Sequence, residues 1–143
     1  MNDYLNKHPE QSIIRKNLEK EVLSTDLDIS KQSIIIPVVF HVVYNTAEQN
    51  ISDVQILSQL DVLNKDFNRT NTDALYTPSD FDSIVSSMQI SFCLAQRTPS
   101  GNPTNGIIRK KTNQTEFHLF DTSIHYSNLG GSDAWDTKKY LNI

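Results

Sequence analysis

Cysteine is nearly absent from this sequence of 143 residues: Cys93 is the only one, so no disulfide bond can form within the chain. Long apolar runs are absent too, and no stretch approaches the roughly 18 apolar residues that a membrane-spanning helix needs. Acidic residues are in small excess over basic ones, which gives a formal net charge of -4. That charge is too mild to indicate a nucleic acid or an anionic membrane as a partner.

What is present is typical of a soluble globular protein, with 37% hydrophobic and 21% charged residues. The length fits one domain with a modest core. Met1 begins a polar segment without an apolar signal region behind a basic start, so we predict no signal peptide in this chain. Either the protein is cytoplasmic, or its true N-terminus lies upstream of Met1.

Metal-binding patterns are also missing. A zinc site needs three or four ligands from His, Cys, Asp or Glu at defined spacings. No two of the four histidines stand at i and i+4, and none is followed by Glu in an H-E-x-x-H arrangement; they are His8, His41, His118 and His125. The pair His118 and His125, seven residues apart, is weak as a ligand pair. We therefore predict no catalytic residue and no metal ligand in this chain.

Two polar side chains in apolar surroundings have structural interpretations. His41 lies inside the most apolar run, where a core imidazole bonded to a backbone or hydroxyl partner is favoured over a catalytic role. Cys93 alternates away from Phe92 and Leu94, with no sign of a neighbouring imidazole or helix N-terminus to activate it. Structural packing or an intermolecular disulfide is the favoured role for its thiol.

Calcium remains open as a ligand of loop carboxylates. Asp26 with Asp28, and Asp133 with Asp136, could contribute oxygens, but neither pair approaches a set of six or more ligands. Solvated loop acids are the default interpretation of both pairs.

The hydrophobic periodicity predicts alternating helices and strands. Residues 10–23 form one apolar helical stripe after Pro9, and Ser24–Ser33 is a polar linker. Ile34–Tyr44 is a strand covered on both faces, open or bulged at Pro37, which cannot donate to a ladder.

The rest of the chain continues this alternation. A capping box of Ser52 and Gln55 begins a helix with one apolar face through Phe67. The further predictions are a short helical turn of Phe81, Ile84 and Val85 packed on the core, strands at Met88–Gln96 and Gly106–Thr112, a loop anchored by Trp135, and a last strand at Lys138–Ile143. That last strand looks cut rather than finished.

Several of these segments, in this order, resemble pappalysin-family metalloproteases of the ulilysin-like kind. Ile36–Tyr44 is similar to the family's opening strand, Ser52–Arg69 to its backing helix, and Ile90–Ala95 to its second strand. Further similar segments follow at Asn105–Ile107, Gly130–Asp136 and Lys139–Ile143. The match covers about residues 34–143, and the ordered set is more specific than any single piece.

The resemblance implies an α/β fold: the N-terminal (upper) subdomain of a metzincin-like catalytic domain, with a twisted mixed sheet backed by a helix. Residues 1–33 would be a helical pro-segment-like stretch and residues 34–143 a partial catalytic domain. In the family, the zinc ligands and the Glu that serves as general base lie on a later helix. None of that motif is here, so the chain is expected to stop upstream of it.

The implied function is therefore that of the N-terminal part of a secreted zinc metalloendopeptidase, inactive by itself. Its partners would be peptide or protein substrates in the full-length protein and the missing C-terminal half of the catalytic domain. Two alternatives stay open: a non-catalytic binding or inhibitory module that reuses this half-domain, and a cytoplasmic α/β domain of another class.

Overall fold

The computed structural model describes residues 9–24, 33–81, 83–118 and 122–143. Residues 1–32 and residues 33–143 form two separate compact units. In the first unit, helix α1 spans Pro9–Ser24, in agreement with the predicted helix and its proline start. Arg15 and Glu19 form an i,i+4 ion pair on its exposed surface, with Nε and Oε1 2.8 Å apart. Most of the predicted linker lies outside the described residues.

The second unit is built on one central strand, β1, which spans Ile34–Tyr44 as predicted. Three further strands, β2 (Ile90–Leu94), β3 (Ile107–Lys111) and β4 (Leu141–Asn142), all pair with it in parallel. The fold class expected from the resemblance is confirmed, and the sheet is dominated by parallel pairing. Antiparallel contact among the described strands and loops is limited to a bridge between Arg97 and Pro103.

Strands β2 and β3 lie on the same edge of β1, one after the other. In a strand, successive backbone N–H and C=O groups point to opposite edges. The C=O of Val38 accepts from Ala95 at the end of β2, and the N–H of Phe40 donates to Gly106 at the start of β3, at 2.8 and 2.9 Å. Both groups belong to even-numbered residues, so they face one edge. β2 and β3 are thus one interrupted strand with an excursion of the chain between them.

Gly106 makes this junction possible. Its φ is +73°, and a Cβ there would lie 2.8 Å from the backbone nitrogen of Ala95. Any other residue would be strained and would clash where the two half-strands meet.

Strand β4 pairs with the opposite edge of β1. The C=O of Val39 accepts from Ile143 at 3.0 Å, and the N–H of His41 donates to Ile143 at 2.7 Å. Pro37 is odd-numbered like Val39 and His41, so its backbone nitrogen, which carries no hydrogen, faces the β4 edge. It lies just before the ladder with β4 begins at Val38. The prediction that pairing is open at Pro37 is explained by this position.

Helix α2 spans Asp53–Phe67 and covers one face of the sheet. The hydroxyl of Ser52 accepts from the N–H of Gln55 at 3.2 Å, which is the predicted N-cap. Ile56 is fully buried against Val38, Phe40 and Val42 of β1. The remaining apolar contacts of this core come from both helix and strands, namely Leu60, Leu63, Phe67, Ile36, Tyr44, Ile90, Phe92, Leu94 and Ile107.

Asn64 of α2 and Asn68, the C-cap of this helix, close the outer edge of β2. The side-chain amide of Asn64 accepts from the N–H of Phe92 at 2.7 Å and donates to its C=O at 2.9 Å. Asn68 donates to the C=O of Ile90 at 2.7 Å. These amides take the place of a further strand, so the edge is satisfied without one.

Between α2 and β2 the structure departs from the sequence prediction. A short 3-10 turn is present at Ser79–Phe81, but Phe81 and Ile84 are 51% and 73% exposed, so the predicted packing of this turn on the core is wrong. β2 begins only at Ile90, because Gln89 has a φ of +54° and Met88 is exposed. A left-handed residue ends the alternation that predicted a strand from Met88 onward.

In the segment before β4, Trp135 packs on a nearby residue and not on the core cluster to which it was predicted to anchor this loop. Its ring meets that of Tyr140 edge to face, with centroids 5.0 Å apart. Among the described residues, no helix is long and apolar enough to cross a membrane.

Candidate functional site

His41 is half-buried in the middle of β1 and is bonded through both ring nitrogens. Its Nδ1 lies 2.7 Å from the hydroxyl oxygen of Ser132, and its Nε2 lies 3.1 Å from Oδ1 of Asn142. The predicted hydroxyl partner of His41 is confirmed, but the imidazole is half-buried and is not part of the core cluster. Ser132 and Asn142 lie 91 and 101 residues away along the chain, and no local pattern identified them.

The orientation of Asn142 determines where the imidazole carries its hydrogen. Oδ1 of Asn142 accepts from the N–H of Trp135 at 2.7 Å, and Nδ2 donates to the C=O of Trp135 at 3.1 Å. Oδ1 therefore faces His41, and because it can only accept, Nε2 of His41 must donate. In the neutral imidazole, Nδ1 then accepts the hydroxyl hydrogen of Ser132.

This arrangement has the outline of a Ser-His-Asn triad, but the backbone amides of the serine and of the two residues before it are already hydrogen-bonded. Stabilisation of an oxyanion needs free backbone N–H groups close to the serine. The amides of Gly130, Gly131 and Ser132 all donate to carbonyls, those of Ser127, Tyr126 and Ile124, at 3.3, 2.9 and 2.9 Å. The three side chains hold the Gly130–Trp135 segment against β1.

The other histidines are not brought together with ligands. His118 is exposed and lies 3.7 Å from a carboxylate oxygen of Glu116, and His125 is exposed at the end of a 3-10 turn, Ser123–His125. His8 lies outside the described residues. Across residues 9–24, 33–81, 83–118 and 122–143, no group of three or more His, Cys, Asp or Glu side chains could hold a metal ion.

Cys93 is exposed on the face of β2 opposite to the core residue Phe92. Its predicted orientation is correct, but the predicted structural packing of its thiol is wrong, because the side chain is exposed. Pairing with a cysteine outside the chain stays a prediction.

The loop carboxylates considered for calcium are engaged in local turns. Hydrogen bonds from the side chain and backbone of Ser127 hold the pKa of Asp133 below its usual value, helped by the nearby charge of Lys110. Asp136 accepts from the N–H of Lys138 at 3.0 Å and lies 4.0 Å from Nζ of Lys139. Asp26 and Asp28 lie outside the described residues.

An open groove adjoins His41 on the β4 side of β1. Its volume is about 520 Å³. The walls come from β1, from Ile143, from Ile124, and from the first half of α2 with the loop before it; the lining residues of α2 and that loop are Gln49, Ile51, Gln55, Ile56, Ser58 and Gln59. The floor is apolar and the α2 side carries amide side chains.

A parallel open sheet backed by one helix is the architecture of a metzincin-like catalytic domain, and the resemblance of this chain to pappalysin-family (ulilysin-like) metallopeptidases is confirmed. Mature mirolysin of Tannerella forsythia, solved in complex with a cleaved peptide, is 51% identical over 78% of this chain, with a TM-score of 0.74. A structure of mirolysin with a small compound matches equally well.

The pro-form is similar over more of the chain. A point mutant of Tannerella forsythia promirolysin is 42% identical over 98% of this chain, with a TM-score of 0.84. The chain spans only 42% of the mature structure and 46% of the pro-form. No protein-family profile matches the sequence, and no curated protein does so at a significant level.

Proposed function

We propose that this chain forms the N-terminal part of a secreted zinc-dependent metalloendopeptidase and has no peptidase activity by itself. The observation that supports this most strongly is the 51% identity to mirolysin over 78% of the chain, combined with coverage of only 42% of that protein. Peptides are the proposed substrates of the full-length protein, because mirolysin was solved with a cleaved peptide.

Residues 1–33 are proposed to be a pro-segment and residues 34–143 part of the catalytic domain. The aligned share of the chain rises from 78% with mature mirolysin to 98% with the pro-form. The difference corresponds in size to the first unit, residues 1–32. The larger aligned share with the pro-form than with the mature enzyme supports this division.

The described residues do not fit a zinc ion. Both ring nitrogens of His41 are engaged, by Ser132 and Asn142. His118 and His125 are exposed and belong to no cluster of three potential ligands within the described ranges. We therefore assign no zinc ligand and no catalytic step to these residues, and we place zinc only in the full-length protein. Within the described ranges, no cluster of His, Cys, Asp or Glu supports a calcium site either.

The test is hydrolysis of a quenched fluorescent peptide library by the purified chain with added zinc, with and without a chelator. We expect no hydrolysis above the buffer control. Chelator-sensitive cleavage would overturn the proposal that the chemistry lies elsewhere in the protein. Extending the reading frame beyond Ile143 in the encoding DNA is the second arm: an H-E-x-x-H motif supports the peptidase, and an immediate stop codon favours a binding or inhibitory module.

A further inference from the structure

The pair Asn105–Gly106 carries a reactive combination of side chain and backbone. It is the only place in the sequence where asparagine precedes glycine. In such a pair the backbone nitrogen of the glycine can attack Cγ of the asparagine, because glycine has no Cβ to hinder the approach and its backbone is permissive. Asn105 is exposed at the end of the loop between β2 and β3, so water can reach its side chain.

The folded chain holds both reacting groups in hydrogen bonds. The N–H of Gly106, which contains the attacking nitrogen, donates to Oγ1 of Thr104 at 3.2 Å. Oδ1 of Asn105 accepts from the N–H of Ile107, also at 3.2 Å. Attack requires the nitrogen to lose its hydrogen and the carboxamide to turn toward it, so both hydrogen bonds oppose the reaction.

The sheet restrains Gly106 further. The residue is buried, and its C=O accepts from the N–H of Phe40 at 2.9 Å, where the pairing of β3 with β1 begins. A shift of Gly106 in the direction of its missing Cβ is blocked, because a Cβ there would lie 2.8 Å from the backbone nitrogen of Ala95 and 3.0 Å from Cβ of Leu94. The attack therefore needs the junction of β2 and β3 to open, a local event that costs less than global unfolding.

We propose that Asn105 is a modification site that the fold keeps closed, and that it converts to aspartate or isoaspartate when the junction of β2 and β3 opens. The nitrogen of Gly106 bonds to Cγ of Asn105, and Nδ2 leaves as ammonia with the hydrogen that the nitrogen gives up. Water then adds to one of the two carbonyl carbons of the resulting imide and breaks its bond to the nitrogen. Cleavage at Cγ leaves aspartate, and cleavage at the backbone carbonyl carbon leaves isoaspartate.

The modification to isoaspartate also makes the opening permanent. In isoaspartate the backbone runs through Cβ and Cγ, so the chain gains a methylene group between Cα of residue 105 and the nitrogen of Gly106. Gly106 then cannot keep both its place beside Ala95 and its hydrogen bond from Phe40, and the pairing of β3 with β1 loses its start. Both products also carry a carboxylate where the neutral amide stood.

The test follows every asparagine of the full 143-residue chain by peptide-mapping mass spectrometry during incubation at mildly alkaline pH, beside a synthetic peptide of residues 98–111. We expect Asn105 to convert at least about tenfold more slowly in the folded chain than in the peptide, because the open junction is a minor state. Asn102 is the internal control: it is exposed in the same loop but precedes Pro103, whose nitrogen has no hydrogen to lose. No conversion in the peptide, a rate in the chain that equals or exceeds the peptide rate, or conversion of Asn102 as fast as that of Asn105 would overturn the proposal.

A matched pair of substitutions tests the hydrogen bond that holds the attacking nitrogen. Thr104→Val removes the acceptor oxygen with little change of shape, and we expect it to speed conversion of Asn105 in the folded chain about threefold or more. Thr104→Ser keeps the hydroxyl, and we expect it to convert at the wild-type rate. Equal rates in the two variants would mean that the Thr104 hydroxyl does not protect the site, which contradicts the proposal.

Urea makes the same test without a substitution. The rate at Asn105 should rise through the urea unfolding transition until it reaches that of the peptide, and a rate that stays constant through the transition would contradict a closed site. In the fraction converted to isoaspartate, hydrogen exchange of the Phe40 amide should be faster by about tenfold or more. Unchanged exchange of that amide would overturn the inference that the junction stays open.

Discussion

At the scale of single residues, contacts between segments distant in sequence stabilise the second unit. The His41–Ser132 and His41–Asn142 hydrogen bonds join β1 to the segment before β4. Gly131 allows that segment to approach Ile124, since a Cβ there would lie 2.1 Å from the C=O oxygen of Ile124. These contacts depend on the residue types at Ser132, Asn142 and Gly131, which local sequence patterns do not explain.

Gly131→Ala is expected to destabilise the protein by about 2 kcal/mol or more, because the new methyl group would meet backbone atoms that cannot move aside cheaply. Gly101→Ala is the matched control: it introduces strain at a φ of +87° but has no atom within 4 Å of the new Cβ. The measurement is urea unfolding of both variants. A smaller loss for Gly131→Ala than for Gly101→Ala would contradict the close packing.

Asp133 gives a prediction for pH. Its pKa is lowered by hydrogen bonds from Ser127, so the folded state binds its proton less readily than the unfolded chain does. The stabilisation is therefore present above the ordinary carboxyl pKa and is lost as pH falls through the lowered value. We expect amide exchange of Ser127 to accelerate, relative to intrinsic exchange, on acidification through that range. Asp133→Asn should remove this pH dependence, and its persistence would show that another group is responsible.

At the scale of secondary structure elements, local sequence patterns predicted an element correctly where its capping residues or composition alone determine it. The Ser52 cap predicted the start of α2, and the β-branched run predicted β1 with its bounds. The union of β2 and β3 into one interrupted strand could not be predicted, because it depends on Ala95 and Gly106 meeting through the fold. Phe81 was placed in the core for its apolarity alone, and it is half exposed.

Asn64 of α2 gives a prediction at this scale. Asn64→Ala leaves both backbone groups of Phe92 without a partner, at an expected cost of about 2–3 kcal/mol. Asn113→Ala, at an exposed turn position, should change stability by less than about 0.5 kcal/mol. Urea unfolding measures both. A near-neutral Asn64→Ala would mean that water satisfies this edge as well as the side chain does.

At the scale of the whole molecule, the second unit leaves many large apolar side chains exposed to solvent. Leu75, Tyr76, Ile84 and Met88 are 88%, 84%, 73% and 62% exposed within one stretch of chain. Together with the groove beside β1, they offer two apolar surfaces to other molecules. Surfaces of this kind promote association in water, so the purified chain is expected to aggregate as its concentration rises.

The double substitution Leu75→Ser and Tyr76→Ser tests whether the first surface drives that association. Because both side chains are almost fully exposed, their removal should change the free energy of unfolding little while raising the concentration at which light scattering begins. Ile51→Asn is the corresponding change in the groove. If Ile51→Asn reduces aggregation and the double substitution does not, the groove beside β1 is the surface through which chains associate. A monomer with a sharp, reversible thermal transition before any substitution would contradict both origins, because neither apolar surface would then need a partner.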